Sequence, residues 1–260
     1  EFPTPGNIGY LRWGNERDSI LSDPDVIAWF PFRKEPNQSV LTNAQRRHGI
    51  PDGRIAGARW VSGRWPGKEA LLFDRETDFV QLEFPGEYQE LTVAVWLKVD
   101  RYDQEMNAVL NSNGDDPGDM HLQLTRHGLP RGGIMGVERP VYEWVGNPVP
   151  TAKWTHLTKV ISMPERMHHI FVNGQLVTKT SLEEQNSIAI RPGYCRLGNW
   201  LQSAAYQHQS SREFQGRIDE LTVWNRALTE SEIDELVERG RPSLLWDREN
   251  PPMGGPLPKP

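Results

Sequence analysis

His121 and Gln123 stand two positions apart in Met120-His121-Leu122-Gln123-Leu124-Thr125. In an extended strand that spacing puts both side chains on one face with Thr125, while Leu122 and Leu124 take the other. Imidazole, carboxamide and hydroxyl side by side offer donors and acceptors to a polar ligand. They do not read as a metal set, because no pair of histidines has the His-Glu-x-x-His arrangement, and neighbouring His168 and His169 would point to opposite faces of a strand. Cys195 is the single cysteine, so no intrachain disulfide can form. It lies in a strand-like stretch and is expected to be a buried thiol, since no positioned histidine marks it as a nucleophile.

Carboxylates come next. Retaining glycoside hydrolysis needs two carboxyl groups about 5 Å apart astride the scissile bond. In Arg217-Ile218-Asp219-Glu220-Leu221 strand alternation offers one carboxylate to each face, and no other segment supplies a local pair. The chain is therefore expected not to be an enzyme. Asn111, Asn113 and Asp115 follow the alternate spacing of a calcium loop, yet Asp116 and Leu122 occupy the places where an EF-hand needs glycine and glutamate, which leaves a polar turn. The small basic cluster Arg46-Arg47-His48 reads as a solvated loop.

These residues need strands to position them. From residue 69 onwards β-favouring runs follow one another at 69–74, 78–84, 91–99, 106–111, 119–126, 132–138, 154–162, 166–173, 175–181, 194–200 and 214–225, separated by turn residues. A further strand fits residues 25–32, with short ones near Arg54–Ile55 and Ala58–Val61. Asn173-Gly174 is the strongest hairpin signal, because both residues tolerate the positive φ of a type I′ turn. Helical spacing begins only at Ile233, Leu236 and Val237, where Thr229 and Glu232 form a capping box and Gly240 with Pro242 supplies the stop. Arg17–Leu21 is expected to make one short helix before Asp23-Pro24. The pattern is all-β: an antiparallel two-sheet sandwich with one short C-terminal helix. The ten tryptophans suit its wide inner faces.

A net charge of −6 argues against a nucleic-acid partner. No apolar run approaches the roughly 20 residues of a membrane span.

The words in which this pattern is written resemble a LamG-like jelly-roll domain of the concanavalin A-like lectin/glucanase superfamily. Residues 214–238 follow that family's ending: Phe-x-Gly-x-Ile-Asp-Glu, an apolar strand, Asn-Arg-Ala-Leu and a Glu-rich helix. Val26–Phe32, Ala70–Asp74 with Asp78–Val80, Leu91–Leu97, Trp154–Leu157 and Phe171–Val177 match its earlier motifs in order. The resemblance covers a jelly-roll domain over 25–240, and Pro- and Gly-rich composition marks residues 1–24 as an arm or linker and 241–260 as a Pro-rich tail. It also implies a groove on one outer sheet face that binds polysaccharide or a surface glycan. There His121 and Gln123 would hydrogen-bond the sugar, with Tyr142, Trp144, Asn199 and Trp200 at the rim. A protein partner is the alternative occupant. A structural Ca²⁺ is implied near Asp219 and Asp78, although Arg75 stands where the family commonly has Gly. Laminarinases of this superfamily carry Glu-x-Asp-x-x-Glu on a strand. Glu232-Ile233-Asp234-Glu235-Leu236-Val237 begins that motif but ends in Val on a helix. Finally, Leu197–Trp200, His121–Gln123 and Gly240–Pro242 are similar to the LamG-like part of bacterial FecR-like membrane-anchored regulators, which implies an extracytoplasmic module excised from a longer protein.

Overall fold

Alternation of apolar and polar residues, punctuated by turns, produces the elements seen in a computed structural model, which describes residues 13–14, 17–136, 141–182, 188–200 and 212–242. In chain order these are helix α1 (Arg17–Ser22), then β1 (Val26–Phe30), β2 (Val40–Leu41), β3 (Gly53–Ala56), β4 (Arg59–Ser62), β5 (Glu69–Phe73), β6 (Phe79–Phe84), β7 (Glu90–Val99) and β8 (Met106–Ser112). There follow β9 (Met120–Thr125), β10 (Pro130–Ile134), β11 (Val141–Trp144), β12 (Trp154–Ser162), β13 (Met167–Val172), β14 (Gln175–Ser181), β15 (Gly193–Leu197), β16 (Gly216–Trp224) and helix α2 (Glu230–Gly240).

Among the described residues the strands form two sheets. One runs β11-β14-β13-β12-β7-β16-β5-β4, with β1 also paired to β16. The other runs β10-β9-β8-β15-β6-β3-β2. Ladder neighbours are antiparallel throughout, as in β7 against β12 and β16. Leu110, Leu122 and Leu124 from the second sheet meet Val93, Val95, Leu97, Leu157 and Ile161 from the first in one core. This is the two-sheet sandwich with a short C-terminal helix that the pattern dictates.

Most of the described tryptophans are not in that inter-sheet core. Trp13, Trp29, Trp65 and Trp224 lie on the opposite side of the nine-stranded sheet with Val160, Phe171 and Ile233 of α2, and Trp96 and Trp154 form a smaller cluster with Ala70. The central strands of that sheet are thereby buried on both faces: β7 is an almost continuous apolar run, while β12 and β16 are buried along their whole length although they carry polar residues such as Lys159 and Asp219. α2 docks through Ile233 and Val237, and the Thr229–Glu232 capping box is formed in both directions.

The hairpin turn is as its sequence demands, with φ of 50° at Asn173 and 83° at Gly174. Two short strands, β2 and β11, lie where the alternation is too brief to announce them. β10 begins at Pro130 and ends at Ile134, earlier than the expected 132–138. Pairing with β9 from Leu124 to Met120 sets those limits. The strand expected to run on to Trp200 stops at Leu197, because Gly198 has φ of 83° and a Cβ there would lie 2.3 Å from the Phe73 ring. Arg47 and His48 are not simply solvated: Arg47 donates to the carbonyl oxygens of Leu21 and Asp23, and His48 Nε2 lies 3.0 Å from that of Pro24. They cap the carbonyl-rich end of α1, a long-range role that local sequence does not announce. The expected arm and tail fall partly outside the described residues, as do 201–211.

Candidate functional site

β9 turns Met120, Leu122 and Leu124 to the core, so His121, Gln123 and Thr125 face outward from the seven-stranded sheet. Antiparallel register then extends the outward positions sideways. Gly133 pairs with His121, His121 with Asn111, Asn111 with Arg196, Arg196 with Gln81, and Gln81 with Arg54. Directly opposed residues share a face, so these six side-chain positions form one row crossing β10, β9, β8, β15, β6 and β3. Five strand spacings of about 4.8 Å make it about 24 Å long.

Next to His121 the row opens into a cleft of about 160 Å³ lined by Gln123, Arg131, Gly132, Gly133, Met135 and Arg212 among others. His121 is fixed from two sides. Its Nε2 lies 3.2 Å from the Gly114 carbonyl oxygen of the β8–β9 turn, and its ring meets Trp200 edge-on at 5.7 Å. Burial holds its pKa down to about 4, against a smaller upward pull from that carbonyl. At neutral pH it is an uncharged imidazole that can both donate and accept. Further along, the Asn111 Oδ1 accepts from Leu122 N at 3.1 Å, while its Nδ2 and the Nε of Arg196 are buried without an acceptor in the protein. A buried donor left unmatched costs about 1–3 kcal/mol; Asn111 is fully buried, and of the two residues only Arg196 is partly exposed to a ligand. Tyr194, on the same face as Arg196, is 59% exposed.

Under this face lies Lys159 of β12, which crosses the core from the other sheet. Its Nζ donates to the carbonyl oxygens of His121 (2.9 Å) and Gly133 (3.0 Å). Burial pushes its pKa down to about 7. Gly132 keeps the space open, since a Cβ there would come within 3.1 Å of the Lys159 Nζ and 3.3 Å of His168 Cε1.

The other expected site residues fall as follows. Trp200 is buried behind His121 and does not line the cleft; the Arg212 guanidinium lies 4.1 Å above its ring. Asn199 ties the adjoining turn together, donating to Glu76 O and accepting from Trp200 N. Trp144 belongs to β11 at the edge of the opposite sheet, where its Nε1 donates to Pro130 O while the ring stays 43% exposed. Tyr142 pairs with Thr180 across β11 and β14; its side chain lies outside the described residues. Cys195 is buried, with a thiol pushed up to about 12 by burial. His168 is buried and His169 turned away from it, as adjacent strand positions require.

The carboxylates are committed elsewhere. A break in register between Ile218 and Glu220 brings Asp219 and Glu220 to the same partner, instead of one to each face. Both pair with Arg64, and Asp219 also with Lys68 at 2.5 Å. Glu220 accepts from the indoles of Trp13 and Trp29 as well. On this edge β16 pairs with β5 up to Ile218 and with β1 from Leu221 onward. Lys68 Nζ donates to Pro31 O, Glu69 O and Asp219 O across the gap. Burial works to raise the Asp219 carboxyl, but Arg64 and Lys68 outweigh it and hold it below its ordinary value.

These residues do not fit a calcium site, because two buried cations already neutralise Asp219. Asp78 Oδ2 accepts from Asp74 N and Arg75 N, which leaves one unmatched oxygen, Oδ1, where calcium takes about six to eight. No cluster of three or more His, Cys, Asp or Glu suited to a metal occurs among the described residues. The segment from Glu232 to Val237 is helical and belongs to α2.

A two-sheet antiparallel sandwich with a polar, cleft-bearing outer face defines a class of β-sandwich proteins. Within it the chain belongs to the Laminin_G_3 family of the concanavalin A-like lectin/glucanases superfamily, whose model matches residues 74–234. No match was found among curated protein sequences. Among solved structures, a Trypanosoma rangeli sialidase in complex with the inhibitor DANA aligns with TM-score 0.60 and 14% identity, over 88% of this chain and 37% of the sialidase. Domain 4 of a GH43 extracellular arabinanase from Geobacillus stearothermophilus, in complex with arabinotriose, aligns with TM-score 0.55 and 17% identity over 82% of this chain and 98% of that domain. At such identities the likeness is one of fold. The chain spans little more than a third of the sialidase's length.

Proposed function

We propose that this chain is a non-catalytic module that recognises carbohydrate on the outer face of its seven-stranded sheet. The observation that carries the reading is the row from Gly133 to Arg54 with the cleft at His121. It sets neutral and charged hydrogen-bonding groups along a line about 24 Å long, with exposed Tyr194 beside it for stacking against a sugar ring. The arabinotriose-bearing domain of similar fold supports it. The non-catalytic part rests on Asp219 and Glu220 being buried in ion pairs, where they reach no solvent-borne substrate. The resemblance of Leu197–Trp200 and Gly240–Pro242 to FecR-like regulators extends the proposal to display outside the cytoplasm.

Calorimetric titration with arabinan, laminarin and pectic polysaccharides tests it. Binding that weakens at least fivefold in His121→Ala, with the thermal transition retained, is the expected result. Unchanged binding in that variant removes the site, no binding to any polysaccharide removes the function, and sustained release of reducing sugar removes the non-catalytic reading.

A further inference from the structure

The outward row has two chemically unlike halves. Toward β10 it holds Gly133, His121 and the buried Asn111, which are uncharged at neutral pH. Toward β3 it presents Arg196 and Arg54 on either side of Gln81. The guanidinium of Arg196 lies 4.0 Å over the Phe79 ring, and its buried Nε has no acceptor. Burial and the charge of Arg54 both lower its pKa, so the two cations are close enough to feel each other. Among the described residues neither arginine is within ion-pair distance of a carboxylate. Glu83, opposite Tyr194, shares the face but is paired to neither. Arg131 and Arg212 line the cleft. Residues 201–211, between Trp200 and Arg212, contain no Asp or Glu. Arg54 and Arg196 thus form a cationic pair on one face of a chain whose net charge is −6.

Two like charges held together without a counter-charge destabilise the free protein, and an anion bridging them removes that cost. Guanidinium groups bind planar or tetrahedral oxyanions through paired N–H donors, while Gln81 gives a neutral contact between them. The Gln81 Nε2 already donates to Cys195 O at 2.9 Å, which holds the side chain in place in the row.

On the carbohydrate reading above, we infer that the bound carbohydrate is acidic: a polysaccharide bearing carboxylate or sulfate groups, with Arg54 and Arg196 as the specificity-determining pair. The uncharged half of the row takes the hydroxyl groups of the same chain.

The test compares polygalacturonate with its fully methyl-esterified form, which has the same backbone without the charge, and adds neutral arabinan, dextran sulfate and poly-L-glutamate. Polygalacturonate or dextran sulfate is expected to bind about tenfold more tightly than the uncharged polymers, with an advantage that falls as salt rises; which of the two is preferred identifies the acidic group. Arg54→Gln and Arg196→Gln are each expected to remove most of that advantage, weakening the acidic polymers several-fold more than the methyl ester. Arg59→Gln, which removes the same charge from the other sheet, is expected to alter nothing. Arg54 is exposed, so its variant remains a fair test if Arg196→Gln fails to fold. Equal binding of acid and ester overturns the acidic assignment while the carbohydrate reading stands. Equally tight poly-L-glutamate overturns it in favour of a general polyanion surface, and no binding to any polysaccharide, charged or neutral, overturns both.

Discussion

Replacing Lys159 with Met tests the electrostatics beneath the binding face. The buried ammonium has its pKa pushed down from 10.5 to about 7, so between those values the unfolded chain holds a proton that the folded chain has released. The unfolded state binds more protons there, and stability rises with pH across that window. With about 1.36 kcal/mol per pKa unit, Lys159 penalises folding by about 4 kcal/mol at pH 7 and about 1.4 kcal/mol at pH 9.5. Met relieves this, but it leaves the carbonyl oxygens of His121 and Gly133 without the Lys159 donor, at about 1–3 kcal/mol each. At pH 7 the two effects are of similar size, so the sign at a single pH decides nothing. The change with pH does. Lys159→Met should lose about 3 kcal/mol of stability relative to the parent chain between pH 7 and pH 9.5, or about 6–12 °C in Tm. Cys195 and Tyr102, whose pKa values are raised by burial, destabilise both proteins alike at high pH and cancel in the difference. Denaturant melts of both chains at the two pH values measure it. Stability difference curves that stay parallel within about 1 kcal/mol would show that Lys159 titrates near its ordinary value and refute the argument.

Other expectations follow from the same geometry. Lys68→Met leaves Asp219 with Arg64 alone in a buried setting and should cost about 3–5 kcal/mol, whereas chelator should leave the parent Tm unchanged; a drop on chelation would show that a metal and not Lys68 closes that edge. Gly198→Ala, at φ of 83° against the Phe73 ring, should cost about 3 kcal/mol or more in chemical denaturation. Thr229→Ala removes the cap of α2 and should cost about 1 kcal/mol, read in the same melts; no change would mean that the docked face of α2 fixes its start unaided.

Local signals were legible in the sequence where the physics is local. The hairpin at Asn173-Gly174, the cap at Thr229 and the outward pair His121 and Gln123 each depend on residues a few positions apart. Their element types follow from backbone sterics and alternation alone. The partners of Asp219 were not legible, because Arg64 and Lys68 lie 155 and 151 residues away in sequence, and the register break that aligns Asp219 with Glu220 has no local marker. The same holds for Asn111, Gln81, Arg196 and Arg54: each looks like an ordinary polar strand residue until ladder register sets them side by side. The tryptophans misled for a related reason, since burial demands a partner surface but composition does not say which of three layers supplies it.

The row has one contributor from each of six strands, and in each the contributing position lies next to positions committed to the core. Exposed contributors such as Arg54 can therefore be exchanged without disturbing the inner face that holds the sandwich together, whereas Asn111 and Gln81 are tied to the backbone of Leu122 and Cys195. On the proposed function, the ligand preference of this face can change strand by strand, as separate small steps, while the fold that carries it stays fixed.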